Sequence, residues 1–254
     1  TGLSPVISMA VLSVHKCRRK NDFHIVKTKP NAKLSGGICV LGIPSLVTEL
    51  SSGIVIIVFN MIILGISGNT GVAAYGVVTN ISLVVIAVFT GVAQGMQPLV
   101  SRAHGIGNSC SAKTFLRYAL FTVLGITAVI YPVIFFFAEN IASVFNSEGN
   151  PALQQIAVQG LKLYFTGAVF AGINIVLAMF FTSCEKALPA HIISLLRGLV
   201  LIVPAAFLLS SQMGLNGVWL SFPAAEALCT AVALCIYSVY IKKGKRANRS
   251  NTYE

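Results

Sequence analysis

The stretch VAAYGVVTNISLVVIAVFTGVAQGMQPLV, residues 72–100, contains no charged side chain, and it is followed at once by SRAHGIGNSCSAKT, residues 101–114, with Arg102 and Lys113. An uncharged apolar run longer than the ~20 residues that cross a bilayer reads as a membrane span, and a basic loop directly after it reads as a membrane-edge connection. The same alternation extends in both directions. Further runs cover 38–64, 115–138, 153–183, 190–210 and 215–241. The run 190–210 is the shortest and carries Arg197. The expected architecture is therefore all-α, a polytopic transmembrane helix bundle.

Threading these runs through a membrane sorts the charge. Of the 18 Lys and Arg residues, all but Lys162 fall in the segment before residue 38, in the loops 101–114 and 184–189 with their helix edges, or after residue 241. The opposite loops hold Glu139 and Glu148 instead. By the positive-inside rule the basic face is cytoplasmic, which predicts a multi-pass protein of the plasma (inner) membrane with its linker and C-terminal tail in the cytoplasm. A net charge of +11 would suit a nucleic-acid binder, but these charges are juxtamembrane, so their expected partner is the lipid bilayer and not nucleic acid.

The chain opens on Thr1 and an apolar stretch, 1–14, too short to span; it reads as the end of a helix whose start lies outside the sequence. Residues 15–37 read as a basic cytoplasmic linker punctuated by Pro30, Gly36 and Gly37, 38–241 as the six-helix lobe, and 242–254 as a basic cytoplasmic tail. Tight outer turns are expected at Ser67 to Gly71 and at Ser211 to Asn216. In the longer outer loop, Asn150 before Pro151 reads as an N-cap with proline at the first helical position. Gly91 and Gly95 form a GxxxG, read as helix packing. Pro44, Pro98, Pro132, Pro204 and Pro223 are expected to kink or interrupt their spans.

Cys17, Cys39, Cys110, Cys184, Cys229 and Cys235 are scattered without a CxxC pair, so neither a disulfide nor a metal site is expected. There is no HExxH, GxSxG or GxxxxGK[ST], which points away from an enzyme and from any organic cofactor.

Ionisable side chains within spans are the strongest functional pointers, because each is costly in lipid. There are four: Glu49, Lys162, Arg197 and Glu226. At ~1.5 Å rise per residue, Glu49 lies about 17–20 Å from the cytoplasmic side, Lys162 about 10–13 Å and Glu226 about 15 Å from the outer side. The three reach one level and are expected to share a midplane cavity as cation-coupling or substrate groups. Glu49 sits in VTELSSG among Thr48, Ser51 and Ser52, a setting suited to a proton or to Na+; a buried pair with Lys162 is its bland alternative. Arg197 is read as a structural ion-pair partner of Glu226. Asn60, Asn80, Gln94, Gln97, Tyr164 and Asn174 are candidate cavity or gate polar residues, with interhelical hydrogen bonding as the plainer role of each.

The segments LGIPSLVTELSSGIVIIVFN, GVAAYGVVTNISLVVIAVFTGVAQGMQPLVS, ISLLRGLVLIVPAAFLL and GLNGVWLSFPAAE resemble the C-terminal half of the multidrug and toxic compound extrusion (MATE) family. The resemblance covers nearly the whole chain, with QGMQPLVS and LLRG its more specific parts. It implies the second six-helix lobe of a two-lobed secondary antiporter, which exports small cationic or amphipathic organic compounds in exchange for Na+ or H+ and whose N-terminal lobe would be a partner missing from this sequence. The acidic residue of the seventh family helix is matched by Glu49, whereas Lys162 stands where the sodium-coupled branch has aspartate. Two alternatives remain open on the resemblance: a lipid-linked oligosaccharide flippase of the same superfamily, and a non-transporting membrane assembly subunit.

Overall fold

A computed structural model describes Met9, Ser13 and residues 32–250, with side-chain surroundings mainly over 49–242. The chain divides into two units, Thr1–Ile38 and Cys39–Glu254. The helix end expected over 1–14, apart from Met9 and Ser13, most of the linker 15–37 and the tail residues 251–254 lie outside the described residues.

The described part is helical throughout. α1 spans Ala32–Gly105, α2 Ser109–Phe136, α3 Ala138–Phe145, α4 Pro151–Tyr164, α5 Ala168–Ser183, α6 Ala187–Leu195, α7 Ile202–Met213 and α8 Leu215–Ser250. A 3-10 turn, Phe165–Gly167, joins α4 to α5, and a π turn, Leu196–Val200, leads from α6 towards α7. Five stretches among the described residues are long and apolar enough to cross a membrane: Glu49–Gly105, Ser109–Phe136, Pro151–Ser183, Ala187–Met213 and Leu215–Lys242. The first is double, because α1 breaks at Gly68 (φ 62°, ψ −157°). Only glycine adopts that backbone without strain, so the five-residue outer turn expected from the sequence contracts to one residue. Counting the two halves of this stretch separately, the described residues hold six apolar helical segments.

The other connections are equally economical. Gly214 (φ 58°) ends α7, and α8 starts at the next residue. Asn108 caps α2 by accepting from Ser111 N–H at 3.0 Å. Asn150 Oδ1 accepts from Ala152 N–H (3.0 Å) and Leu153 N–H (3.3 Å) with Pro151 in the first turn, the cap that the sequence predicts. The outer loop before it is largely helical as α3, and Gln154 Nε2 ties it down by donating to the Glu139 carbonyl at 2.8 Å. α8 continues to Ser250, so most of the stretch 242–254 that the sequence assigns to a tail prolongs the last helix.

The segment Pro151–Ser183 occupies the centre: 56% of its most apolar window is buried, against 17% for the α1 stretch. Its own Phe180 and Phe181 are fully buried, as are Phe59, Phe89 and Trp219 from the other helices. Leu46, Leu50, Ile57, Met61 and Leu64 are exposed along α1, as a helix facing hydrocarbon rather than water permits.

Close helix approach depends on glycines other than the expected pair. Gly91 and Gly95 are exposed, and a Cβ on either would meet nothing within 4 Å, so this GxxxG makes no contact among the described residues. The seam lies at Gly160, Gly167, Gly172 and Gly217. A Cβ on Gly160 would come within 3.1 Å of the Trp219 ring and on Gly167 within 2.8 Å of Pro223 Cα; on Gly172 it would collide with Val123 and on Gly217 with the Leu209 carbonyl. A bulky residue there must push helices apart. Gly172→Leu is expected to destabilise the protein by about 1–3 kcal/mol, the usual range for overpacking, while Gly95→Leu leaves the unfolding midpoint unchanged; denaturant titration in mild detergent measures both.

Candidate functional site

Glu226, on α8, is the one buried carboxylate among the described residues, 3% exposed. Both of its oxygens are engaged. Oε1 accepts from Arg197 Nη2 at 3.0 Å and from Arg197 Nε at 3.2 Å, and Oε2 accepts from Asn174 Nδ2 at 2.6 Å. The same Asn174 amide reaches the Glu226 backbone carbonyl at 3.0 Å. One helical turn further on, Thr230 Oγ1 lies 3.1 Å from Asn174 Oδ1 and 2.9 Å from the Glu226 carbonyl. This network ties α5, the π turn and α8 together and leaves neither oxygen of the Glu226 carboxylate without a partner.

The local sequence explains how Arg197 reaches it. Pro204 lacks an N–H, and its ring crowds the carbonyl four residues back, at Val200. The helix relieves this by slipping register upstream, where Leu201 N–H bonds Leu196 O at 3.0 Å, five residues back instead of four. Arg197 projects from that widened turn, with its side chain 13% exposed. Of the five prolines expected to disturb the spans, Pro204 is thus tied to an irregularity by its geometry, whereas Pro132 and Pro223 lie inside continuous helices.

The exposed edge of the pair borders a cavity of about 120 Å³. Besides Arg197 and Glu226, its polar lining is Ser52, Tyr75 and Thr79 with Ser82 from α1, and Tyr164 from α4. Tyr164 is held against Phe222 by ring stacking, with centroids 4.1 Å apart and planes 7° from parallel. Thr79 Oγ1 donates to its own helix, to Tyr75 O at 2.8 Å, leaving oxygen lone pairs for the cavity.

The expected three-way meeting of Glu49, Lys162 and Glu226 does not form. Glu226 lines the cavity; Glu49 is exposed on α1, one turn before the lining residue Ser52; Lys162 borders a separate outer groove of about 830 Å³ with Glu139, Gln154, Gln155 and Gln159. Lys162 Nζ rests 5.2 Å from the centroid of the Phe135 ring. Rise along the helix sets a level, but it says nothing about azimuth. Tyr164, two residues from Lys162, points inward, and residues two apart on a helix do not share a face.

Among the other predicted polar residues, Asn174 and Tyr164 join the site. Asn80 is exposed and returns its amide to Gly76 O at 2.8 Å. Asn60 and Gln97 are half-buried and Gln94 exposed, and none of them lines either cavity. Sequence reasoning missed Tyr75, Thr79, Ser82 and Thr230. The i, i+4 spacing of Glu226 and Thr230 was the one available signal for the last.

The apolar spans thus pack around a paired charge at the edge of a mostly apolar cavity. The MatE family profile matches residues 44–208, and the chain belongs to that family. It is 26% identical over 221 residues to the multidrug export protein MepA of Staphylococcus haemolyticus, covering 86% of this chain and 48% of that protein. The MepA of Staphylococcus saprophyticus is 22% identical over 247 residues, covering 96% and 53%. The chain thus spans about half the length of the curated relatives it matches. Among solved structures, the outward-facing conformation of a multidrug resistance MATE family transporter of the MOP superfamily superposes with a TM-score of 0.85 at 21% identity, covering 94% of this chain and 55% of that one. The inward-facing conformation gives 0.77 at 22% identity, with 94% and 57% covered. At such identities the likeness establishes the fold.

Removing Asn174 strips a hydrogen bond from Glu226 Oε2 and another from the Glu226 carbonyl. Asn174→Ala should therefore lower stability by about 1–3 kcal/mol, the cost of an unsatisfied buried group. Thr230→Val should cost less, because the Glu226 carbonyl keeps Asn174. Unfolding midpoints of the two variants give the comparison.

Proposed function

We propose that this chain is the second lobe of a secondary antiporter that exports cationic or amphipathic organic compounds in exchange for Na+ or H+ by alternating access, with an N-terminal lobe of the same protein as its partner. Membership of the MatE family supports the transport class, and the relatives named as multidrug export proteins support the substrate class. The observation that carries the reading for this chain's own residues is the buried carboxylate of Glu226 at the edge of a mostly apolar cavity that holds a few hydroxyls. An intramembrane acid is costly to keep unless it works, and one that borders a cavity can exchange a cation with it.

In this reading Glu226 is the central coupling group. Glu49 stands one turn from the cavity residue Ser52 and serves at its approach, while Lys162 acts elsewhere, at the outer groove. The basic linker and tail lie in the cytoplasm of a cell whose inner membrane holds the protein. The flippase alternative calls for a more cationic cavity. Here the cavity's single guanidinium is matched by a carboxylate, which favours organic cations over anionic lipid carriers.

Efflux of a fluorescent organic cation from cells expressing the native protein tests this. Efflux should stop when the driving ion gradient is collapsed. Glu226→Gln should abolish gradient-driven efflux at unchanged protein level, and Glu49→Gln should slow it. Gradient-driven efflux at the native rate in Glu226→Gln would remove Glu226 from the mechanism.

A further inference from the structure

A coupling carboxylate already neutralised by arginine has no evident need of a second cation, so the reading of Glu226 as the coupling group leaves Arg197 to be explained. The geometry of the pair supplies the explanation. A guanidinium grips a carboxylate best as a fork, with two parallel bonds to two different oxygens. Here both Arg197 nitrogens converge on Oε1, at 3.0 and 3.2 Å, while Oε2 belongs to the neutral amide of Asn174 at 2.6 Å. Arginine can leave without freeing the carboxylate from its anchor. It also has somewhere to go, since the mostly apolar cavity of about 120 Å³ beside it includes the hydroxyls of Ser52, Ser82 and Tyr164 in its lining. Those oxygens and Oε1 are the ligand type that hard monovalent cations take.

The backbone under Arg197 is suited to movement as well. It lies in the π turn Leu196–Val200, held by a five-back hydrogen bond in place of the regular four-back ladder, and such turns recur at functional sites. Gly198 in the same turn faces the cavity. The remaining titratable groups facing the pair are Tyr75 from α1, Tyr164 from α4 and Cys229 from α8, all uncharged side chains at neutral pH. No other charge competes for Glu226 among the described residues.

We propose that Arg197 is a tethered counter-ion: a monovalent cation entering the cavity, Na+ or H+, replaces it on Glu226 and turns the guanidinium into the cavity. This rests on the coupling role given to Glu226 above. It adds a competitor built into the chain: the cation takes over Oε1, the guanidinium charge passes to the hydroxyls of the cavity, and the arrival of the cation is converted into a movement of the π turn.

The native protein, purified in detergent, is titrated with radiolabelled sodium at fixed pH, and separately with acid in sodium-free weak buffer to follow proton uptake. The two arms tell sodium from proton. Arg197→Gln removes the competitor, and binding of the operating cation should tighten on the order of tenfold, within the usual span of couplings between sites. Glu226→Gln should abolish it. The double variant, uncharged on both sides, should keep its fold and bind no cation. If Arg197→Gln does not fold, Arg197→Lys, which keeps the charge but not the planar geometry, should still tighten binding. Unchanged or weaker binding in the folded arginine variant, or full binding in Glu226→Gln, would overturn the proposal. Because binding is read without transport, tightened binding with no drug efflux would sustain the counter-ion and overturn the antiport reading. Efflux with unaltered cation binding in Arg197→Gln would do the reverse.

Discussion

A charged pair cannot be placed inside a membrane bundle without organising what surrounds it. Arg197 and Glu226 lie 3.0 Å apart with the carboxylate 3% exposed, so both must find every hydrogen bond within the protein. The second carboxylate oxygen recruits Asn174, and Asn174 recruits Thr230. The central segment Pro151–Ser183, the π turn and the last helix are thereby fixed against each other at one level. Apolar packing in lipid has little preference for one helix register over another, since lipid tails are as apolar as leucine. The polar network supplies the register that packing leaves open.

The departures from regular helix fall where this arrangement demands them. Gly68 turns α1 back on itself, bringing the Ser52 and Tyr75–Ser82 stretches to opposite sides of one cavity. The 3-10 turn Phe165–Gly167 follows Tyr164 directly, and Gly167 lets the chain pass against Pro223 of α8. The π turn presents Arg197. Between these points the helices are held by aromatic contacts such as Tyr164 on Phe222 and by glycines with no room for a Cβ. Regular spans give the lobe its shape, and three irregular joints give it a site.

Most of the fold was legible because the bilayer imposes a length. Apolar runs, the Asn150–Pro151 helix start and the six segments all follow from local rules, and the structure agrees with them. Packing detail was not legible. Gly91 and Gly95 fit a known motif yet face outward, while Gly172, in no motif, sits against Val123, because which glycine meets a neighbour depends on helix rotation. The site shows the same division. Depth along the axis brought Glu49, Lys162 and Glu226 to one level, but azimuth sent Lys162 to an outer groove and left Glu49 exposed. The hydroxyls of Ser82 and Thr79 lie in a mostly apolar run beside the more conspicuous Asn80 and gain meaning only once they line one cavity with Tyr164.

Arg197 and Glu226 act as one unit at the core of the bundle. A double-mutant cycle between them, using Arg197→Met and Glu226→Leu in the native protein and reading unfolding free energy in detergent, measures that directly. The single variants should each lose far more than the double, giving a coupling of about 3 kcal/mol, the upper end for residues in one network. Additive losses would mean that the two side chains act independently, and the pair would no longer be the centre of the lobe.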